Sequence, residues 1–270
     1  MTAPRESLLY TAALYVGTGI QKPDYLATID ADPESPTYSR AISRLGMPGI
    51  GDELRQTGWN SCSSCHGDST RERRYWIVPG VRSSNLHIAD CAENPEVPRL
   101  HKVIEGAEIK SKTNLSAPHK IHCMGPDIVI LMLGDAQGNA PGGLLHLDQN
   151  FEIVGRWDEE LGNMKFYYDF WFQPRHNVMV SSEWAAPNTF MPRLDLEEVG
   201  HLKYGREIRF GIRREIALIA PLSRRGRSRA IGSSIPSRPE FIARIRWRGA
   251  QFKHHSLVQE KRGVVSGKDY

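Results

Sequence analysis

Leu26-Ala27-Thr28-Ile29-Asp30, Leu86-His87-Ile88-Ala89-Asp90 and Leu144-Leu145-His146-Leu147-Asp148 share one form: a short, mostly apolar run that stops at an aspartate. A turn rich in breakers comes after each run, at Asp32-Pro33-Glu34-Ser35-Pro36, Asn94-Pro95-Glu96-Val97-Pro98 and Asp148-Gln149-Asn150. A second strand pattern comes after each turn, over 38–45, 99–105 and 151–157. Apolar runs of this length between such turns read as strands. The aspartates are 60 and 58 residues apart. A recurring unit of several short strands is the mark of a β-propeller blade, and this period exceeds the usual ~40–50 residues enough to allow inserted loops. The reading weighed against it is an all-β sandwich with coincidental spacing.

A second pair of strands repeats as well. Asp127-Ile128-Val129-Ile130-Leu131-Met132-Leu133 comes after His122-Cys123, and Val178-Met179-Val180-Ser181-Ser182-Glu183-Trp184 comes after His176. Equivalent strand starts lie at equivalent heights in a propeller, so His122 and His176 are expected to face one axis from neighbouring blades. His119 precedes His122 by three residues, and on an extended loop the two need not point the same way. His87 and His146 fall inside strands, and His101 is expected to pair with Glu105. Gly138-Asn139-Ala140-Pro141-Gly142-Gly143 bridges two strands and does not lead into a helix, so it reads as a turn rather than a phosphate cradle. The aromatic run Phe166-Tyr167-Tyr168-Asp169-Phe170-Trp171-Phe172 reads as an inter-blade core strand in preference to a ligand platform.

The densest cluster of reactive groups is Gly58-Trp59-Asn60-Ser61-Cys62-Ser63-Ser64-Cys65-His66-Gly67-Asp68. Cysteines at this spacing can chelate a soft metal, close a redox disulfide or hold one activated thiolate, and the adjoining His66 suits each role. A zinc ribbon needs a second such pair, and the other two cysteines, Cys91 and Cys123, stand alone in the sequence.

These residues carry a resemblance. Gly58-Trp59-Asn60 with Cys62-Ser63-Ser64-Cys65 and Gly67-Asp68 resembles the signature of the selenium-binding protein family, whose members act as methanethiol oxidases. Asp24 to Asp30, Leu100 to Glu105, Pro118-His119 through His122-Cys123, and Tyr168 to Met179 resemble family blocks in the family's order. The resemblance covers about residues 8 to 210. Family members are considerably longer and are seven-bladed propellers. The chain is therefore expected to be all-β, a partial β-propeller of about three to four blades over 1–210, with something else after it. The implied reaction converts methanethiol, oxygen and water to formaldehyde, hydrogen sulfide and hydrogen peroxide, with copper as the metal. The roles expected from it are His122 and His176 as copper ligands, His66 as a third, and Cys62 or Cys65 as the thiol that binds selenium or the substrate sulfur. A non-catalytic selenium or thiol carrier is the alternative.

Charge divides the chain. Residues 1–210 hold 21 Lys+Arg and 27 Asp+Glu, a net of −6, whereas 211–270 hold 14 and 4, a net of +10. The second part includes Arg224-Arg225-Gly226-Arg227-Ser228-Arg229 and Arg244-Ile245-Arg246-Trp247-Arg248, and the strand repeat fails inside Arg206-Glu207-Ile208-Arg209-Phe210. Basic segments with interleaved aromatics invite a nucleic-acid reading, which is set aside because the junction falls inside a strand and no recognition motif comes after it. Residues 211–270 are expected to be a disordered or out-of-frame segment. No apolar run reaches the ~18 residues of a membrane span, and residues 1–20 lack the features of a secretory signal. The expectation is a cytoplasmic protein with a small thiol and oxygen as partners, no membrane, and self-association through uncapped blades.

Overall fold

In the computed structural model the described residues are 5–61, 71–125, 127–158, 164–173, 178–192, 203–212 and 215–221. They form four separate antiparallel sheets with two short helices, which makes the fold all-β as the repeat predicts.

The first sheet has three strands in the order β1 (Leu8–Ala13), β2 (Tyr25–Asp30) and β3 (Ala41–Gly46). The second runs β4 (Gly58–Trp59), β5 (Tyr75–Pro79), β6 (Leu86–Asp90) and β7 (Arg99–Ile104). Helix α1 (Gly106–Thr113) then leads to the third sheet: β8 (Leu115–Met124), β9 (Asp127–Asp135), β10 (Gly143–Leu147) and β11 (Ile153–Arg156). The fourth consists of β12 (Asp169–Gln173), β13 (Val178–Ser182), β14 (Glu207–Ile212) and β15 (Glu215–Pro221), with helix α2 (Pro187–Phe190) between β13 and β14. The boundary expected at residue 210 thus falls within β14, and one more strand lies beyond it. Residues 222–270, the bulk of the segment expected to be disordered, lie outside the described residues.

The repeating aspartate is explained by its hydrogen bonds. Asp30 accepts the Asp32 N–H, Asp90 accepts the Ala92 N–H, and Asp148 accepts the N–H groups of Asn150 and Glu152. A carboxylate that takes the backbone donor two residues on closes the turn into the next strand. The remaining acceptor capacity is used locally. Ser35 and Thr37 hydroxyls donate to Asp30, and with the Asp32 N–H they hold its carboxyl below the usual range. The Arg74 guanidinium grips Asp90 at 2.7 Å and lowers it in the same way.

Aligned on these aspartates, β2, β6 and β10 are equivalent, and β14 takes the same third position in its sheet. The first sheet therefore lacks, among the described residues, a counterpart of β4, β8 and β12, and the outer edge of β1 carries no strand. Four of the large apolar side chains exposed in this region, Leu9, Leu14, Ile20 and Ile50, lie on or beside that sheet.

Alternate residues of a strand point to opposite faces of its sheet, and here they enter different cores. On β9, Ile128, Ile130 and Met132 join a cluster with Ile77, Leu86 and Ile88 of the second sheet. Val129, Leu131 and Leu133 instead join one with Phe170 and Met179 of the fourth. On β5, Ile77 enters the first of these clusters, while Val78 packs with Leu26 of the first sheet. The sheets are thus stacked in chain order, each on its neighbours, and β9 is buried on both faces.

Candidate functional site

The first strands of successive sheets touch, with β8 lying against β4 on one side and β12 on the other. This convergence brings the sequence-marked segments towards one another. Gly58 on β4 approaches β8 so closely that an added Cβ would sit 3.0 Å from Ile121 Cβ and 3.1 Å from its backbone oxygen. The glycine of the motif is therefore a packing requirement. Gly58→Ala is expected to destabilise the protein by about 1–3 kcal/mol, the usual cost of overpacking. A denaturant midpoint equal to that of the unmodified chain would show that β4 does not press on β8.

The next two motif residues also have structural work. Trp59 packs edge-on against Trp76 at 4.5 Å and reaches Tyr10 of the first sheet at 5.8 Å. The Asn60 side-chain oxygen accepts the N–H groups of Arg74 and Tyr75, and its amide donates to Glu72 O. Asn60 therefore ties the two ends of the segment that carries the reactive residues. Cys62, Cys65 and His66 themselves lie outside the described residues, which end at buried Ser61, and so does His176 between β12 and β13.

His122 is described in full. It sits inside β8, opposite Val129 of β9, rather than at a strand start. Its ring meets Phe170 edge-on at 4.9 Å and Trp171 at 5.0 Å. Nε2 is buried without a hydrogen-bond partner, and the ring has a backbone hydrogen bond with Phe170, which therefore falls on Nδ1. Burial and then the neighbouring Lys120 charge lower the imidazole pKa to about 4. At neutral pH the ring is uncharged, with its proton on Nδ1 and a free lone pair on Nε2. A histidine that gives one N–H to a backbone carbonyl and offers the other nitrogen is in the form that binds metals.

His119 is placed by a bulge. The register between β8 and β9 slips between Pro118 and Lys120, and a bulge re-aims the side chain it carries. His119 Nδ1 lies 2.8 Å from Tyr168 O, with the two rings 4.8 Å apart. The bulge brings both β8 histidines against the aromatic run of the fourth sheet, although three residues separate them. That run divides its duties: Tyr167 and Phe170 are core residues, as expected, whereas Trp171 is 66 % exposed. Lys120 Nζ sits 5.6 Å above the Trp171 ring and 3.8 Å from Asp169 Oδ1. Asp169 and Trp171 are marked in the sequence only as part of the aromatic run and its family block, and Lys120 only as part of the block around His119 and His122; that the three meet is not legible, because a register slip and a neighbouring sheet bring them together.

Other histidines have local roles. His87 is fully buried with Nε2 3.4 Å from Asp52 Oδ2, His146 is 3.3 Å from Asp127 Oδ2, and His101 packs on Tyr75 and Phe151. Cys91 is free and buried, and burial pushes its thiol up to about 12. Cys123 is disulfide-bonded. Among the described residues no three His, Cys, Asp or Glu side chains cluster as a metal site.

Comparison with known proteins places this geometry. Residues 1–217 match the family described as 56kDa selenium binding protein (SBP56). Selenium-binding protein 3 of Arabidopsis thaliana is 50% identical over 211 residues, which are 77% of this chain and 44% of the relative. A methanethiol oxidase of Xenopus laevis is 47% identical over 210 residues, with the same coverage of both chains. The X-ray structure of a hypothetical selenium-binding protein from Sulfolobus tokodaii superposes with a TM-score of 0.76 at 42% identity, over 80% of this chain and 48% of that one. The chain thus spans less than half the length of these relatives, and over its first 217 residues it belongs to the SBP56 selenium-binding protein family.

Proposed function

We propose that this chain carries part of a copper-dependent methanethiol oxidase site, with selenium-binding capacity in the same region. The observation that carries the proposal is His122: a buried, neutral imidazole whose free nitrogen has no protein partner, on a strand flanked by the first strands of both neighbouring sheets. An unpartnered polar atom in such a place costs free energy unless something binds it. A borderline-soft metal suits an imidazole lone pair.

In this reading His122 holds copper together with His176 and His66, and Cys62 or Cys65 takes up selenium or the sulfur of the substrate. Copper supplies a one-electron redox couple between a sulfur substrate and oxygen, which zinc lacks. The overall reaction balances as methanethiol plus oxygen plus water giving formaldehyde, hydrogen sulfide and hydrogen peroxide. The methyl carbon loses two electrons and gains the oxygen of water, sulfur leaves as the sulfide, and oxygen gains two electrons and two protons. The part played by the chain's own residues is to keep His122 neutral, to fix its tautomer through Phe170, and to exclude water from its free nitrogen.

The same reading takes residues 1–210 as part of a propeller that is incomplete relative to the longer relatives, with 211–270 a separate basic segment. Because the chain spans less than half their length, a non-catalytic selenium or thiol carrier is the second reading. The copper-loaded chain, given methanethiol under air, is expected to release formaldehyde, sulfide and peroxide in equal amounts. Stoichiometric selenite binding without turnover would leave the carrier standing and remove the oxidase.

A further inference from the structure

His122 Nε2 is buried, and among the described residues two aromatic rings meet the His122 ring. Of the two rings that flank it, Phe170 is 1% exposed and belongs to the core between the third and fourth sheets. Displacing Phe170 would open that core. Trp171 is the next residue on β12 and, although its ring also meets His122, it is mostly exposed to solvent. It is held by the His122 ring at 5.0 Å and by the Lys120 ammonium at 5.6 Å, and Lys120 is itself steadied by Asp169. Neither ring contact is a hydrogen bond. The indole can therefore leave at small cost, while the phenyl ring cannot.

We propose that Trp171 is the movable wall that controls access to His122 Nε2, and hence a specificity-determining residue of this site. The inference rests on reading His122 as a ligand-binding residue. The mobile indole stands against the very ring whose outer nitrogen is buried and unpartnered. In its closed position the indole keeps bulk water off the imidazole. When it swings clear, an incoming sulfur compound passes along an apolar, polarisable ring face of the kind that thioethers and thiols favour. Small neutral sulfur ligands should pass this wall more readily than bulky or charged ones.

The test is carbethoxylation of the whole chain by diethyl pyrocarbonate, which attacks neutral accessible imidazole nitrogens, with each site quantified by peptide mass spectrometry. In the unmodified chain His122 should react slowly, because the rate scales with the fraction of molecules in which the ring has swung clear. Trp171→Ala should raise the His122 rate about tenfold or more by making the open form dominant. Lys120→Gln, which removes only the cation above the ring, should raise it about threefold. Exposed His101 should react equally in all variants. Fully buried His87 should stay unmodified, which reports that the fold is intact.

An unchanged His122 rate in Trp171→Ala, or fast reaction in the unmodified chain, would overturn the gate. If Trp171→Ala exposes His87 and so proves unfolded, Lys120→Gln and Trp171→Phe are read by the same criterion. The ligand reading is tested apart from this by copper titration of His122→Ala. Unaltered copper affinity there sinks the ligand role and leaves the carbethoxylation result to judge the wall.

Discussion

Leu131→Ala is expected to lower the unfolding free energy by about 2–5 kcal/mol, the range for truncating a fully buried leucine. Leu131 has no exposed surface, and its side chain enters the core shared with Phe170 and Met179. Ile130→Ala should cost a similar amount for a different reason, since Ile130 faces the opposite core, shared with Ile77 and Ile88. Domains have total stabilities of only about 5–15 kcal/mol, so either change removes a large fraction. Denaturant unfolding measures the size of each loss, and native-state hydrogen exchange locates it. Leu131→Ala should loosen β12 and β13 first, and Ile130→Ala should loosen β5 and β6. If both variants loosen the same strands, β9 does not divide its side chains between two interfaces.

His122→Ala should weaken copper binding by about a hundredfold or more, at or beyond the upper end of what losing an outer-shell partner costs. The same variant has a signature in the metal-free protein. The folded pKa of His122, about 4, lies below the ordinary value of 6.5 for an unfolded histidine. Above pH 6.5 the group is neutral in both states. Between 6.5 and about 4 the unfolded chain takes a proton that the folded chain refuses, so stability falls with pH across this window. Below about 4 both states are protonated and the contribution stops changing. The difference in unfolding free energy between the unmodified chain and His122→Ala should therefore shrink as pH falls from 6.5 to 4. A difference that is flat over that window would show that the ring is not held neutral by burial.

The sheet repeat is legible in the sequence because it is local chemistry. An apolar run, an aspartate and a breaker turn state a hairpin within about twenty residues, and Asp30, Asp90 and Asp148 all close their turns as that pattern requires. Helix α1 is not legible. Ile109 is the only large apolar residue it buries, so it has no periodic face to detect. The motif glycine and asparagine attract notice as neighbours of reactive residues, yet their reasons are non-local: Gly58 answers to Ile121, and Asn60 to Arg74 and Tyr75. Trp171 reads as one more core aromatic because alternation cannot show that its face of the sheet is uncovered. His122 stands out in the sequence through the family block it lies in and the apolar strand over 127–133 that comes after it, and its tautomer depends on a carbonyl 48 residues away on another sheet.

Stacking in chain order has a consequence for how the fold comes apart. Among the described residues each main core is shared by consecutive sheets, with Val81 of the β5–β6 turn the one core residue that reaches past its neighbour to the fourth sheet. The molecule behaves as a row of units coupled to nearest neighbours, as solenoid arrays do, and its stability is a sum of unit terms and junction terms. The second and third sheets have two such junctions, whereas the first and fourth have one among the described residues. Unravelling should begin at the ends and move inwards, so amide protons of β1 and β2 exchange earlier than those of β9. The chemistry proposed for β8 is thus lodged in the part of the row that opens last.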